Sequence, residues 1–296
     1  GKIPELWDPV TSDIKRVGQF SHNHGKTTLA IKLAAQDSIF VVFREPSIGK
    51  TVLPHAMPVT AKNSLIGSVF LNDADQLVVE SSENGTFTVL DNQTVAINSV
   101  SKTKQIIGSW KVKFNSFYGY GDTLMWDKLV DWKDYQSDDI KYYSGTATYS
   151  NTFDMTAEDV AANKRVTLDL GQVGVSAQVI VNGVDAGVAW YSPYKLDITD
   201  ALKAGKNAIT IEVANQWTNR LIGDKRYPDT SGFKQSPYFP TPADLMPDWY
   251  VNNEPMPPSK RITFTVQEIY KKGDPLVSSG LIGPVRLITN VIKPIQ

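Results

Sequence analysis

The feature that most limits the possible folds is a series of short runs in which apolar and polar residues alternate. Three of them follow closely on one another, at 165–173, 176–183 and 207–215. Alternation with a period of two indicates a strand with one buried face, and Asn182-Gly183 at the end of the second run is a strong hairpin signal. Similar strand-like runs occur at 38–45, 76–82, 86–90, 94–100, 106–114, 140–153, 261–270 and 283–291. Because long helical periodicity is almost absent, the sequence predicts an all-β fold of packed antiparallel sheets.

The length and the turn positions divide the chain into two predicted domains. At 296 residues it exceeds the usual size of one small domain. We predict an N-terminal linker at 1–12, a small β-sandwich domain at 13–101 and a second β-sandwich domain at 105–296. A stretch rich in proline and aromatic residues interrupts the second domain at 224–260. An irregular segment of that length indicates a functional loop or a clamp onto another domain.

Composition excludes several classes of protein. The net charge of −1 gives no bias towards nucleic acid or an anionic membrane, and no run of apolar residues approaches the length of a membrane span. Cysteine is absent, which excludes disulfides, thiol nucleophiles and cysteine-based zinc sites. Residues 1–12 lack a basic stretch followed by an apolar one, so they are not expected to form a signal peptide.

Two Gly-Lys-Thr triplets suggest a phosphate-binding loop, but the complete motif is missing. That motif requires a second glycine five positions earlier, where this chain has Phe20 and Arg44. His22 and His24 stand at alternate positions without a third metal ligand nearby. We therefore do not interpret the triplets as a nucleotide-binding site, and we interpret the two histidines as part of an exposed loop or turn.

Hydrolysis of a glycoside needs two carboxyl groups about 5–10 Å apart. The candidate carboxylates are Glu158, Glu212, Glu254, Glu268, Asp229 and Asp248. Sequence spacing does not pair carboxylates on separate strands, and solvated surface charge is the simpler interpretation. An active site that combines Glu212 with a carboxylate from 224–260 remains the alternative.

Aromatic residues cluster after the predicted hairpin and again after the strand at 207–215. We call Trp190, Tyr191, Tyr194 and Trp217 the aromatic shelf. Sugar C–H faces pack on aromatic rings, whereas sugar hydroxyls exchange hydrogen bonds with amide and guanidinium groups. The predicted sugar-binding residues are Trp190, Tyr194, Asn215, Trp217, Asn219 and Arg220. The alternative is that these residues close the end of the sandwich or pack on a neighbouring domain.

A longer pattern around the shelf resembles a known domain. Its parts are Val-Asn-Gly at 181–183, Gly-x-x-Trp at 187–190, Pro-Tyr-x-Leu-Asp-Ile-Thr at 193–199, Gly-x-Asn at 205–207 and Ile-x-Val-x-Asn at 211–215. This pattern resembles the galactose-binding-like jelly roll of glycoside hydrolase family 2. The segments 5–9, 38–45, 108–114, 142–149, 215–224, 261–265 and 278–287 also resemble, in this order, the C-terminal part of family 106 α-L-rhamnosidase-like proteins.

The resemblance implies a galactose-binding-like jelly roll for the second domain and an accessory role for the chain. In that family the catalytic carboxylates and metal ligands lie on an N-terminal barrel-type domain, whose motifs are not found here, so no catalytic residue is carried over. The resemblance thus implies a non-catalytic, carbohydrate-associated module of a bacterial glycoside hydrolase that acts on plant or microbial polysaccharide. A purely structural docking domain is a further alternative.

The same resemblance implies partners, cofactors and a location. The expected partners are a carbohydrate and the N-terminal catalytic domain of the same parent protein, with no nucleic acid and no membrane. A structural calcium ion is the one cofactor that domains of this type suggest. The expected location is the periplasm or the outside of the cell.

Overall fold

The computed structural model describes residues 1–294, except 19, 30, 32, 34–36, 47–66, 73, 75, 82–84, 90–92, 98–100, 116–120, 229, 231, 233–245 and 264–268. The strands in the first third of the chain are β1 (Lys2–Trp7), β2 (Ile14–Val17), β3 (Phe20–Asn23), β4 (Lys26–Leu29), β5 (Phe40–Pro46), β6 (Gly67–Leu71), β7 (Leu77–Ser81), β8 (Gly85–Val89), β9 (Gln93–Ile97) and β10 (Lys102–Gln105).

The remaining strands are β11 (Trp110–Phe114), β12 (Thr123–Trp126), β13 (Thr146–Met155), β14 (Lys164–Asp169), β15 (Gln172–Val173), β16 (Ser176–Val181), β17 (Val184–Ala189), β18 (Lys195–Asp197), β19 (Gly205–Ala214), β20 (Leu281–Gly283) and β21 (Arg286–Pro294). Short helices are α1 (Asp138–Lys141), α2 (Thr218–Asp224) and α3 (Asp248–Val251), with 3-10 turns at Trp132–Asp134 and Thr199–Ala201. None of the helices within the described ranges is long and apolar enough to cross a bilayer.

A six-stranded antiparallel sheet, in the order β12-β11-β13-β19-β16-β17, forms one layer of the second domain. Its side chains alternate between the core and solvent, as the sequence pattern predicts: Tyr149, Ile211 and Val213 are fully buried, whereas Thr148 and Glu212 lie on the outer face. The β16–β17 hairpin turns at Asn182 and Gly183, with φ values of 53° and 84°. Both residues therefore adopt the left-handed conformation that an Asn-Gly hairpin turn requires, which confirms the predicted hairpin.

A nine-stranded sheet forms the other layer and extends beyond the second domain. Its order is β18-β14-β21-β7-β6-β2-β1-β5, with β10 paired to β21. Leu168 on β14 and Leu287 on β21 are buried in the same core cluster as Val179 and Ile211 of the six-stranded sheet. Two antiparallel sheets thus enclose one apolar core, which confirms the predicted all-β sandwich.

The long strand β21 joins the two predicted domains. Its residues 286–291 pair with β14, and 286–289 also pair with β10, whereas Val291–Pro294 pair with β7. The first part of the chain therefore continues the sheet of the second part, so the two units share one backbone hydrogen-bond network rather than meeting only through side chains. A smaller core cluster around Ile3, Val17, Phe20, Leu71 and Leu77 lies in the first unit.

Two details of the predicted domain division differ from the structure. Residues 1–12, predicted as a linker, contain strand β1, in which Ile3 and Glu5 are fully buried. The polar stretch 101–105, predicted as a break between domains, contains β10. All four side chains of β10 are exposed, so this strand shows no apolar alternation, and pairing with β21 alone defines it.

The strand predicted at 261–270 is not found at the residues of this range that the structure describes. Residues 261–263 and 269–270 are not in a strand, and 264–268 lie outside the described residues. Asp224, rather than a neighbouring strand, accepts the backbone N–H groups of Ile262 and Thr263.

Candidate functional site

The aromatic shelf lies at one end of the six-stranded sheet. Ala177 on β16 is paired with Ala189 on β17 and with Val213 on β19. Because both neighbours are antiparallel to β16, β17 and β19 run in the same direction and finish at the same end of the sheet. Trp190 follows the end of β17 directly, and Trp217 comes three residues after β19. Because β16 separates these two strands, their backbones are about 10 Å apart at this edge.

The two tryptophans are open to solvent, whereas the tyrosines are partly covered. Trp190 is 57% exposed and Trp217 is 48% exposed. The ring centroids of Trp190 and Tyr191 are 5.0 Å apart at an interplanar angle of 54°. Tyr194 is half-buried and packs against the core of the sandwich. The shelf thus exposes two indole rings, and the ring of Trp190 contacts that of Tyr191.

Tyr191 connects the shelf electrostatically to the first unit. Burial raises the pKa of its phenol, and the carboxylates of Asp37 and Asp8 raise that pKa further. Both aspartates belong to the part of the chain before β6. The loop that carries Trp190 and Tyr191 therefore lies close enough to the first unit for the Asp37 and Asp8 carboxylates to act on the Tyr191 phenol.

Asn215 uses its side chain to fix the backbone beside the shelf. Its Oδ1 accepts a hydrogen bond from the Gly145 N–H at 2.9 Å, and its Nδ2 donates to the Tyr143 carbonyl at 2.9 Å. A third, longer bond of 3.3 Å reaches Ser279 Oγ. The amide therefore connects the start of β13, the end of β19 and the loop before β20.

Asn219 makes a similar connection from α2. It is fully buried, its Nδ2 donates to the Val277 carbonyl at 2.8 Å, and its Oδ1 accepts from the Val277 N–H at 2.9 Å. The side chain thus pairs with a backbone residue as a strand neighbour would, and it holds α2 against residues 277–279.

Arg220 and Asp224 form a buried ion pair one turn apart on α2. Arg220 Nη2 donates to Asp224 Oδ1 at 2.6 Å, and the side chains are 9% and 4% exposed. The other carboxylate oxygen of Asp224 accepts from the N–H groups of Ile262 and Thr263 and from the Thr263 hydroxyl, at 3.1, 2.8 and 2.6 Å. The pair therefore anchors the segment that follows the 224–260 insertion.

The six predicted sugar-binding residues are thus brought to one end of the fold, where they divide into two groups. Trp190 and Trp217 expose their rings, and Tyr194 supports that end from the core. Asn215, Asn219 and Arg220 bond to the protein itself. Asp131, Asp224 and Ser279, which complete these contacts, were not predicted. Asp131 and Ser279 lie tens of residues from their partners, whereas the spacing of four residues between Arg220 and Asp224 is a local signal that could have indicated this pair.

Asp131 organises the loop against which Asn215 and Asn219 are bonded. Its Oδ1 accepts from the Ser279 N–H at 2.9 Å, and its Oδ2 accepts from Lys133 Nζ at 2.9 Å. Burial opposes ionisation, but the hydrogen bonds from Lys133, Ser279 and Ser278 outweigh it, so the pKa of Asp131 is lowered.

We expect Asp131→Asn to remove a pH-dependent part of the stability. A carboxylate whose pKa is lower in the folded state contributes stability above its unfolded pKa of about 3.9, and this contribution is lost as the pH falls through the folded value. The variant should lose about 1.5–3 kcal/mol at neutral pH and show a flatter fall in stability below about pH 4. Urea unfolding between pH 3 and 7 measures both. The exposed Asp139→Asn is the control, and parallel curves for all three proteins would contradict the assignment.

Comparison with known proteins finds a family model that matches this part of the chain. Residues 122–251, which carry the whole shelf, match the family model of the glycosyl hydrolase 2 galactose-binding domain-like proteins. The chain contains a galactose-binding-like domain. This finding confirms the resemblance to the family 2 domain, whereas the narrower assignment to family 106 stays a prediction.

Two longer proteins are similar to the chain. A curated protein of Formosa agariphila, named "Putative beta-glucuronidase", is 38% identical over 200 residues, which are 67% of this chain and 16% of that protein. The solved structure of a rhamnosidase from Novosphingobium sp. PP1Y is 30% identical with a TM-score of 0.66, over 98% of this chain and 20% of that one. The chain therefore spans a fifth or less of the length of these relatives.

The candidate carboxylates are spread over the galactose-binding-like domain and its insertion. Glu212 stands on the outer face of the six-stranded sheet, between Thr148 and Gln178 of the neighbouring strands. Asp248 and Glu254 are exposed, whereas Asp229 and Glu268 lie outside the described residues. Among the residues with described positions, no three His, Asp or Glu side chains come together as metal ligands. The structural calcium ion stays a prediction.

The two histidines belong to the β3–β4 hairpin, where His24 lies in a turn, as predicted, and His22 lies on a strand. His22 lies on β3, with Nδ1 2.9 Å from Thr27 Oγ1 and Nε2 3.1 Å from the Lys2 carbonyl oxygen. His24 has a φ of 50° in the turn between β3 and β4. Their positions are accounted for by the turn and by these hydrogen bonds.

Proposed function

We propose that the chain is an accessory, non-catalytic, carbohydrate-associated module of a larger bacterial glycoside hydrolase that acts on plant or microbial polysaccharide. The observation that carries the proposal is the pair of exposed indoles, Trp190 and Trp217, at one end of a galactose-binding-like domain. The likeness to about a fifth of a rhamnosidase supports the view that a catalytic domain lies elsewhere in the parent protein. We place that parent protein in the periplasm or outside the cell.

The shelf suggests how a sugar would be held. The indole rings of Trp190 and Trp217 would pack against the C–H faces of the sugar, with Tyr194 as support. Asn215, Asn219 and Arg220 act as positioning residues in this proposal, because their bonds to the loop at 277–279 and to Asp224 fix the backbone that carries Trp217.

The test is loss of sugar binding without loss of stability. We expect Trp190→Ala and Trp217→Ala each to weaken binding of L-rhamnose or D-glucuronate by about tenfold, which corresponds to about 1.4 kcal/mol. Calorimetric titration measures the affinity, and urea unfolding checks that stability changes by no more than about 0.5 kcal/mol. Met125→Ala is the control, because Met125 is 64% exposed on β12, at the opposite edge of the same sheet.

Two results would contradict the proposal. Turnover of aryl α-L-rhamnosides by the chain, abolished by Glu212→Gln, would show that the chain is itself a glycosidase. Affinities that neither tryptophan substitution changes would show that the shelf is not the sugar site, and no binding of either sugar would favour a purely structural docking domain.

A further inference from the structure

A groove with a volume of 570 Å³ lies where the two units share the nine-stranded sheet. On β14, Val166 and Leu168 point into the core of the galactose-binding-like domain, whereas Arg165 points to the opposite face and lines the groove. Small-molecule sites in proteins commonly have volumes of about 300–1,000 Å³. The groove therefore has the size of a ligand site, and it lies on a different face of the sheet from the core beneath the shelf.

The strand register shows why these side chains share one face. Val17 on β2 is opposite Phe70 on β6, Phe70 is opposite Val78 on β7, and Val78 is opposite Pro294 on β21. Directly paired residues in antiparallel strands point to the same side of a sheet. Lys15 lies two residues before Val17 and joins this side. The groove is thus built by strands of both units.

The floor is apolar and carries one aromatic ring. Phe70, Val78 and Ile292 line it. The guanidinium carbon of Arg165 lies 5.8 Å from the centroid of the Phe70 ring. Such a floor offers a surface on which C–H groups can pack.

The rim carries polar side chains that the protein does not use. Lys15 and Asn163 line the groove, and their side chains have no hydrogen-bond or ion-pair partner in the described part of the chain. Asp13 stands beside them and is exposed. An ammonium, an amide and a carboxylate together supply both donors and acceptors for hydroxyl groups.

The charge around the groove disfavours an anionic ligand. Arg165 is held between Glu80 and Asp197, at 3.4 Å from each carboxylate. Lys15 stands near Asp13, so two cations face three carboxylates. Lys15 has no ion-pair partner among the described residues, but three carboxylates outnumber the two cations, so a phosphate, sulfate or uronate would meet a net negative charge. A neutral ligand with apolar faces and many hydroxyl groups fits the groove, because its C–H faces match the apolar floor, its hydroxyls match the polar rim, and it carries no negative charge.

We propose that this groove is a second carbohydrate site, which binds a neutral sugar residue independently of the aromatic shelf. The choice of a sugar rests on the proposed function, because the chain is taken to work on glycans. On the floor, Phe70 and Ile292 pack against the C–H groups, and Lys15, Asn163 and Asp13 bind the hydroxyls. Two sites on separate faces let the module hold a glycan at two points, which raises its overall affinity.

Amide chemical-shift mapping of the whole chain tests the proposal. L-rhamnose, D-galactose and D-glucose serve as neutral probes at millimolar concentration, with D-glucuronate as the anionic counterpart. We expect a neutral sugar to shift the amides of Lys15, Asn163 and Ile292, with weaker binding of D-glucuronate there. Lys15→Ala and Asn163→Ala should each weaken groove binding by about three- to tenfold, as expected for one lost hydrogen bond. Lys113→Ala, exposed on the outer face of the six-stranded sheet, is the matched control.

The possible results separate this inference from the proposed function. Shifts confined to Trp190 and Trp217 would overturn the groove and leave the shelf standing, whereas shifts confined to the groove would support the groove and count against the shelf. Tighter binding of D-glucuronate than of the neutral sugars at the groove, or binding that Lys15→Ala and Asn163→Ala leave unchanged, would overturn the proposal. Absence of shifts with every sugar would overturn both.

Discussion

Replacement of Asp224 by asparagine should lower the free energy of unfolding by about 3–5 kcal/mol, because it breaks a buried ion pair by removing one partner. The carboxylate is bonded to Arg220 at 2.6 Å and accepts three further hydrogen bonds from Ile262 and Thr263. The asparagine amide can accept through only one of its two terminal atoms. The substitution therefore leaves the Arg220 charge buried, or leaves backbone N–H groups without an acceptor.

Urea unfolding of the whole chain measures this loss, with Asp138→Asn as the control. Asp138 also pairs with an arginine, Arg226, but its side chain is 60% exposed, so the same substitution should cost no more than about 1 kcal/mol. Equal stabilities of the two variants would contradict the role of Asp224. Since Trp217 caps the helix that carries Arg220 and Asp224, we also expect Asp224→Asn to change the fluorescence of that indole.

The architecture of the galactose-binding-like domain could be predicted from local patterns. Alternation in β19 and in most of β13 marks one buried face, and Asn182-Gly183 marks a hairpin turn, so neither conclusion needs information from distant parts of the chain. The end of the sheet that carries Trp190 and Trp217 follows from the same reasoning, because both residues come shortly after a strand.

The contacts between distant segments could not be predicted in this way. Asn219 carries an amide, a group that can bind sugar hydroxyls, yet its partner is the backbone of Val277, 58 residues away. Nothing in the spacing of polar residues indicates whether an amide points to solvent or to a strand-like partner. The same reason explains why β10 was missed, since the backbone of β21 rather than an apolar pattern defines it.

The position of the groove depends on one such long-range pairing. The last four residues of β21 pair with β7, more than 200 residues earlier in the chain. The predicted division into two domains, at 13–101 and 105–296, does not indicate a face that strands of both units build. The groove is therefore a property of the shared sheet, and a sequence pattern within either unit alone does not indicate it.

We expect Trp132→Ala to destabilise the protein by about 3–5 kcal/mol, the usual cost of removing a buried tryptophan side chain. Trp132 is fully buried, and its ring centroid lies 5.3 Å from that of Phe114 and 5.5 Å from that of Tyr143. Its Nε1 donates to the Tyr149 hydroxyl at 2.6 Å. Alanine leaves a cavity between these rings and also removes the donor to a buried phenol.

The packing around Trp132 makes this site sensitive to additions as well as to deletions. A Cβ atom on Gly280 would lie 2.3 Å from Trp132 Nε1, and Gly280 has a φ of 88°. Gly280→Ala should therefore also destabilise the protein, through steric overlap with the indole and backbone strain. The loop at 279–281 thus fits closely around the indole.

Thermal and urea unfolding measure the effect of Trp132→Ala, and near-ultraviolet circular dichroism reports the loss of aromatic packing. Trp190→Ala is the matched control, because Trp190 is 57% exposed and should change stability by no more than about 0.5 kcal/mol. If the two alanine variants were equally stable, Trp132 would not be the centre of the aromatic core. We expect Trp132→Ala to lower stability and Trp190→Ala to weaken sugar binding. That result would assign a structural role to Trp132 and a binding role to Trp190.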